Sequence, residues 1–230
     1  NVVISAPDND GYNGIIAGDI RTTTGQVNTY EVTVNNVTAT ADGVALPALG
    51  TGAVMVEDTS AGNVLSGTVY DKSVAVAKIG NTYYKDLHEA MVACKAGETV
   101  LLIADVDLAG TEWEPVSFKG TFDGQNHTIS NLTINKPGVS NTGFITSLNG
   151  TFKNVTFTNP TVTGGENTGV VAGRAGGSAA LAENITVNGT IKVEVTHSGY
   201  ARAAVIVGGW AYGNYKNITV DGGDKAVSYV

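Results

Sequence analysis

The sequence of 230 residues has little of what several protein classes require. It contains one cysteine, Cys94, so no internal disulfide can form. Charged residues make up 15% of the chain, against about a quarter in typical domains, and aromatic residues 7%. The chain has 13 Lys and Arg residues and 21 Asp and Glu residues. Because a protein that binds nucleic acid must neutralise phosphates with Lys and Arg, this composition excludes a general nucleic-acid binder. The longest apolar runs, 100–104 and 203–207, are too short to insert into a membrane.

What is abundant is small or β-branched: 30 Gly, 28 Thr and 20 Asn. A hydrophobic content of 42% argues against disorder. Helix formers at helical spacing are scarce, which argues against a bundle or coiled coil. The composition therefore predicts a mostly β protein with many turns and an acidic net charge of −8.

The first 76 residues are β-rich but irregular, with candidate strands at 1–5, 14–20, 29–40, 53–57 and 64–77. Residues 30–38 alternate at period two, as a half-buried strand does. We expect residues 1–76 to form an N-terminal segment, either extra coils or a small sandwich, ahead of a second domain at 77–230. Residues 226–230 have the pattern of a strand without a cap, so we expect the natural protein to continue beyond one end or both.

One helix is predicted, over residues 86–95. Leu87, Ala90, Met91 and Cys94 form a single apolar stripe, and Gly97 follows as a stop signal. An entirely apolar strand begins at residue 100. A short helix with one apolar face does not stand alone, so residues 84–96 are expected to cap the open end of a core.

Two short units recur through residues 105–230. Asn-Ile/Leu/Val-Thr begins at Asn131, Asn154, Asn184 and Asn217, at spacings of 23, 30 and 33 residues. A small residue followed by an apolar run recurs at 143–145, 169–173 and 204–208. Repeats of this length built from short strands predict a β-solenoid, whose coils stack to share one core.

The repeat also predicts roles for its residues. Asn tolerates left-handed backbone angles, and stacked Asn side chains can form an amide ladder. The inward rows are expected to contain Ile129, Leu132, Ile134, Val155, Phe157, Ile185, Val187, Ile218 and Val220.

Residues 79–102 resemble the helix-capped start of bacterial right-handed parallel β-helices, and residues 113–134 resemble their first coil. The units 143–145 and 169–173 resemble the GLUG-type repeat of bacterial cell-surface proteins, which include adhesins and some secreted peptidases. In place of the consensus Leu stand Phe144, Val170 and Val205, which keep the core position. The resemblance implies an all-β fold: a right-handed parallel β-helix with one capping α-helix over 77–230, preceded by a β-rich segment.

Parallel β-helices include pectate lyases and polygalacturonases, so clustered carboxylates are candidate catalytic groups. Asp105 and Asp107 are expected to share a strand face, with Asp123 one coil above. However, Asp123-Gly124 has the pattern of a tight turn, basic partners such as Arg174 and Arg202 are sparse, and no hydrolase signature is present. We therefore assign no catalytic residue, and corner-forming roles are favoured.

No metal or cofactor is expected. Residues 8–13 resemble a calcium loop but lack the distal Glu of the EF-hand, so a turn is favoured. His88, His127 and His197 have no second ligand at metal spacing. Cys94 is expected to be a core residue.

The densest aromatic cluster is Trp210, Tyr212 and Tyr215, with Tyr200 nearby. On a strand Trp210 and Tyr212 would share a face, and exposed rings are platforms for sugar stacking. These four residues are the candidate ligand-binding site, although packing of the cluster on itself is the alternative.

Eight Asn-x-Thr sequons occur, at Asn36, Asn126, Asn131, Asn149, Asn154, Asn184, Asn188 and Asn217. The repeat explains most of them by corner geometry, so they are not interpreted as glycosylation sites.

The sequence thus favours a non-catalytic bacterial module, secreted or on the cell surface, for adhesion, glycan binding or rigid spacing. Its expected partners are cell-surface or host glycans or proteins. Two alternatives stay open: a polysaccharide lyase or glycoside hydrolase on a β-helix, and a phage tail-spike fragment, which would form trimers. The sequence does not determine the ligand or the oligomeric state.

Overall fold

The computed structural model describes residues 2–6, 14–17, 27–41, 43–50, 54–197, 199–223 and 228–229. The chain divides into two compact units, Asn1–Ala75 and Val76–Val230. Each is described by itself below. The described part is mostly β-strand, in agreement with the composition.

The N-terminal unit contains two small sheets. Its strands are β1 (Val2–Ala6), β2 (Val27–Thr33), β3 (Val37–Ala41), β4 (Val44–Ala45), β5 (Val54–Asp58) and β6 (Val64–Asp71), followed by a 3-10 turn at Lys72–Val74. β1, β3 and β4 form one sheet in that order, with β1 parallel to β3, while β2, β6 and β5 form an antiparallel sheet.

The strand predicted at 29–40 is wrong as a single element. It divides into β2 and β3 around Asn36, which has a left-handed φ of 53° and cannot continue an extended strand.

The second unit begins with the hairpin β7 (Ala77–Ile79) and β8 (Thr82–Tyr84), then helix α1 (Leu87–Ala93). The strands that follow are β9 (Thr99–Leu102), β10 (Val106–Asp107), β11 (Thr121–Asp123), β12 (Thr128–Ser130), β13 (Thr133–Asn135), β14 (Ile145–Leu148), β15 (Thr151–Thr158), β16 (Thr161–Gly164), β17 (Thr168–Gly169), β18 (Ala172–Asn188), β19 (Lys192–Val195), β20 (Ala203–Ala204), β21 (Val207–Asp221) and β22 (Ser228–Tyr229).

From β9 onward the equivalent strands of successive coils pair in parallel. Val100 aligns with Phe122, Phe122 with Phe152, Phe152 with Ala182, and Ala182 with Tyr215. The coils therefore advance by 22, 30, 30 and 33 residues, with loops absorbing the difference. This is a parallel β-solenoid of about three full turns, and the fold class predicted from the sequence is confirmed.

Helix α1 caps the solenoid core as the apolar stripe predicts. The Asp86 side chain accepts a hydrogen bond of 2.9 Å from the Glu89 N–H and so serves as N-cap. Leu87, Ala90 and Met91 are buried in the same cluster as the coil interiors. Within the described residues, no helix has the length and apolar character needed to cross a bilayer.

Aromatic side chains fill the first coils. Phe122 stacks on Phe152 with ring centroids 4.4 Å apart and planes 11° from parallel. Trp113 stacks on Phe144 at 4.3 Å, and its Nε1 donates to the Phe144 carbonyl at 2.9 Å. All four side chains are buried, which removes most of the larger rings of the first coils from water.

The second recurring unit of the sequence aligns between coils. The Phe144 N–H donates to Val170 O, and the Val170 N–H donates to Val205 O, both at 2.9 Å. The glycines of this unit fit because the coils approach closely: a Cβ on Gly143 would lie 2.7 Å from the Gly169 carbonyl oxygen. The small residue before each apolar run is therefore required by the close approach of the coils.

The predicted amide ladder exists at the corner that follows β11. Asn154 Nδ2 donates to Asp123 Oδ1 at 2.9 Å, Asn184 donates to Asn154 at 2.8 Å, and Asn217 donates to Asn184 at 2.9 Å. All three asparagines have φ between 51° and 56°. Each of these asparagines therefore provides both the turn of the backbone and a hydrogen bond to the coil below.

Asn131 does not belong to this ladder, which corrects the first of the three sequence spacings. Its N–H pairs with Thr158 O, and its Nδ2 donates to Asp107 Oδ1 at 2.7 Å, at the next corner of the coil. The spacing of 23 residues joins two different corners, whereas the spacings of 30 and 33 are true coil repeats.

Seven of the nine predicted inward residues are buried, at 2% exposure or less. Ile218 is half-buried, and Val220 is 44% exposed. Both lie on β21, which within the described residues pairs only with β18, so these side chains are covered from one side.

Candidate functional site

Three of the four aromatic residues proposed from the sequence are exposed. Tyr200 has 79% of its surface accessible, Trp210 59% and Tyr212 62%. They come from two segments of the last coil, because Tyr200 precedes β20 whereas Trp210 and Tyr212 lie on β21. Free rings of this size are uncommon on a domain whose remaining aromatic side chains are mostly covered.

Trp210 occupies a β-bulge. Gly209 pairs with Arg174 and Ala211 with Ala175, which leaves Trp210 as the extra residue. Its φ of 50° is in the left-handed region that bulky residues avoid. Simple strand alternation, which predicts a common face for Trp210 and Tyr212, is therefore interrupted at this point, and the bulge itself determines where the Trp210 ring points.

Tyr200 is held by an arginine. The guanidinium carbon of Arg202 lies 5.7 Å from the Tyr200 ring centroid, and the same guanidinium is paired with Glu166. Arg202 also donates to Asn167 Oδ1 at 3.2 Å. A side chain on Gly209 would overlap Asn167, so this cluster borders the Trp210 bulge.

Tyr215 differs from the other three. Its ring is half-buried and packs against the solenoid core. Its hydroxyl is enclosed without a hydrogen-bond partner in the described part of the chain, and burial raises its pKa. Tyr215 is thus placed as a packing residue beside the exposed rings.

The register of β14, β18 and β21 shows what surrounds Trp210 and Tyr212. Ser147 pairs with Arg174, which pairs with Gly209 next to Trp210, and Gly176 pairs with Tyr212. A Cβ on Gly176 would lie 2.5 Å from Asn149 Oδ1, so Asn149 lies beside Gly176. We call this lateral surface the aromatic face; it consists of Ser147, Asn149, Arg174, Gly176, Trp210 and Tyr212.

Arg174 is the charged residue of this face, and the sequence patterns did not single it out as a ligand-binding group. It is exposed, and its side chain forms no hydrogen bond or ion pair within the described residues. The signal that could have found it is weak: it is one of three arginines in the chain and interrupts a run of small residues. Only the alignment of β18 with β21 places it beside Trp210.

The three acidic residues considered for catalysis are engaged at corners of the coils. Asp105 accepts from the Thr128 N–H at 2.8 Å and from His127, and these bonds lower its pKa. Asp107 accepts from Asn131 at 2.7 Å and from the Ala109 N–H at 3.0 Å, with the same effect. Both line a cavity of about 380 Å³ beside α1, but their bonds explain them as turn formers.

Asp123 is the base of the amide ladder. Partial burial raises its pKa, but the hydrogen bonds from Asn154, the Gln125 N–H and Lys153 outweigh burial and lower the pKa overall. Lys153 forms an ion pair with it at 3.1 Å. The corner role considered for this residue is therefore supported by specific partners.

The remaining residues considered as metal ligands or nucleophiles lie apart from one another. His88 is half-buried against Trp113, and its Nε2 donates to Glu114 O at 3.0 Å. His197 accepts from the Gly199 N–H at 3.0 Å. Cys94 packs partly against the core, and burial raises its pKa. The described residues contain no group of three or more potential metal ligands. The candidate calcium loop, residues 8–13, lies outside the described part of the chain.

Fold and surface together define a helix-capped β-solenoid that carries the aromatic face. The chain is similar to halomucin of Haloquadratum walsbyi, with 32% identity over 112 residues. That alignment covers 41% of this chain and 1% of halomucin, so the chain corresponds to a very small part of that protein. No family model matches the sequence, and no solved structure matches it.

Proposed function

We propose that this chain is a non-catalytic module of a secreted or cell-surface protein and that it binds glycans through the aromatic face. The observation that carries the proposal is the exposure of Trp210 and Tyr212, two residues apart on β21, with Tyr200 in the same coil. Stacking of a sugar ring on an aromatic side chain needs an accessible ring face, which these side chains provide.

The chemistry around the rings supports the same function. Asn149 and Ser147 provide amide and hydroxyl groups that can bond sugar hydroxyls, and Asn149 already donates to Ser147 at 3.2 Å. Gly176 adds no side chain beneath Tyr212. A ligand stacked on Tyr212 would therefore meet no side chain at position 176.

The similarity to halomucin supports placement outside the cell or at its surface. A net charge of −8 and a Thr- and Asn-rich sequence agree with that environment. Adhesion and rigid spacing are compatible with a stacked solenoid, but neither requires an exposed Trp on a bulge. For that reason glycan binding is proposed first.

Affinity electrophoresis through gels containing a panel of neutral and acidic polysaccharides tests the proposal. We expect at least one polysaccharide to retard the wild type, and the double variant W210A/Y212A to migrate as in a gel without ligand. V92A, which removes an exposed apolar side chain of α1, is the matched control and should remain retarded. No retardation in any gel, or equal retardation of W210A/Y212A, would refute the proposal.

The two alternatives have their own measurements. A lyase or hydrolase would release new reducing ends from a retained polysaccharide, with a loss of that activity in D105N or D123N. A tail-spike fragment would scatter light as a trimer at every protein concentration.

A further inference from the structure

We infer that the glycan bound by the aromatic face is acidic and that Arg174 pairs with the carboxylate of a uronic acid residue. This inference rests on the proposed function and names its ligand class. It starts from the one cationic side chain of that face that has no partner of its own.

The Arg174 side chain is available to bind a ligand, because the other charged groups near Trp210 are paired with one another. The other arginine of the region, Arg202, is paired with Glu166 and bonded to Asn167. Arg174 has no carboxylate at ion-pair distance within the described residues. The local charge at the aromatic face is therefore positive, although the whole chain is acidic.

The strand register beside Trp210 suits a uronic acid. Arg174 aligns with Gly209 on the neighbouring strand, and parallel strands lie about 4.8 Å apart. In a uronic acid the carboxylate is attached directly to the pyranose ring. A ring stacked on Trp210 can thus place its carboxylate over the next strand, where Arg174 lies.

The geometry of the guanidinium favours a carboxylate as its partner. Its planar fork of N–H donors binds both carboxylate oxygens at once, which is stronger and more directional than a bond to a neutral hydroxyl. Ser147 flanks Arg174 on its other side and adds no charge. A neutral sugar at this position would leave the cation without a counter-charge.

Calorimetric titration with polygalacturonate hexamer and with its methyl ester tests the inference, since esterification removes the charge but keeps the ring. We expect the acid to bind about tenfold tighter than the ester, and R174Q to lose that difference while it still binds the ester. R174K should retain only part of the preference because it lacks the fork. K119Q, which removes an exposed cation elsewhere, should behave as wild type.

The outcomes separate this inference from the proposed function. Equal affinity for acid and ester, unchanged in R174Q, would overturn the acidic ligand and leave glycan binding intact. Binding of a sulfated glycan but not of the uronate would overturn the choice of carboxylate. If the uronate, its ester and the whole polysaccharide panel all fail to bind, glycan binding itself is refuted.

Discussion

Asn184 Nδ2 donates a hydrogen bond of 2.8 Å to Oδ1 of Asn154, which lies 30 residues earlier in the chain and directly below it in the solenoid. Asn184 in turn accepts from Asn217 at 2.9 Å. One side chain therefore connects three consecutive coils, while its backbone makes the left-handed corner that each coil requires. The ladder joins the local turn to the stacking of the coils.

Replacement of Asn184 by Ala should lower the free energy of unfolding by about 2–3 kcal/mol, since two hydrogen bonds of about 1 kcal/mol each are lost and the left-handed φ is penalised. N184G should cost less, because glycine accepts that φ. N126A is the control: Asn126 has a similar φ of 66° but no side-chain bond. Urea denaturation followed by circular dichroism measures the three values, and an effect of N126A as large as that of N184A would contradict the ladder's role.

Two glycines of β18 should respond very differently to alanine. A Cβ on Gly173 would overlap the backbone of Asn141 in the coil below, whereas a Cβ on Gly177 meets nothing within 4 Å. We expect G173A to destabilise by about 1–3 kcal/mol or more through overpacking. G177A should be neutral or stabilising by up to about 1 kcal/mol, because it restricts the unfolded chain. The melting temperatures of G173A and G177A measure this difference. Equal melting temperatures would show that the coils do not approach as closely at Gly173 as described.

Acid should weaken the corner at Asp123. Its pKa is lowered in the folded state, so its contribution to stability is present above the unfolded value of about 3.9 and is lost as the pH falls through the folded pKa. The free energy of unfolding of the wild type should therefore fall below about pH 4. D123N retains an oxygen acceptor for Asn154 and should show a shallower decline, with Asp105 and Asp107 accounting for the remainder.

The measurement for Asp123 is urea denaturation between pH 2.5 and 7. At neutral pH, D123N should be the less stable protein because it loses the ion pair with Lys153. Parallel curves for the two proteins at all pH values would contradict the coupling of this carboxylate to folding.

The bulge at Trp210 predicts a conflict between stability and binding. A left-handed φ destabilises the fold by about 1–2 kcal/mol at a non-glycine residue. Because the Trp210 ring is exposed, its packing offsets little of that destabilisation. W210G should consequently be more stable than W210A by about 1 kcal/mol and at least as stable as the wild type. Both variants should lose retardation in the polysaccharide gels. A marked loss of stability in W210G would show that the ring has a structural role and would remove the argument for binding.

Sequence periodicity determined the class of fold because the repeat is local. Each Asn-x-Thr unit encodes its own corner and strand, and the apolar stripe of Leu87, Ala90 and Met91 encodes a one-sided helix that needs a core to cover. The division of residues 29–40 at Asn36 and the separate corner of Asn131 were not visible, because asparagine favours a corner without specifying which corner of the coil it occupies.

The tertiary structure alone decided which distant residues meet. The sequence suggested that Trp210, Tyr212 and Tyr200 form a site, and their exposure agrees with that suggestion. Nothing in the sequence separates Tyr215 from the three exposed aromatic residues or places Arg174 beside them. Strand register between coils depends on the lengths of all the intervening loops and on the bulge at residue 210. That register is a property of the stacked coils, so a cation and an aromatic ring distant in sequence become neighbours only when the core is assembled.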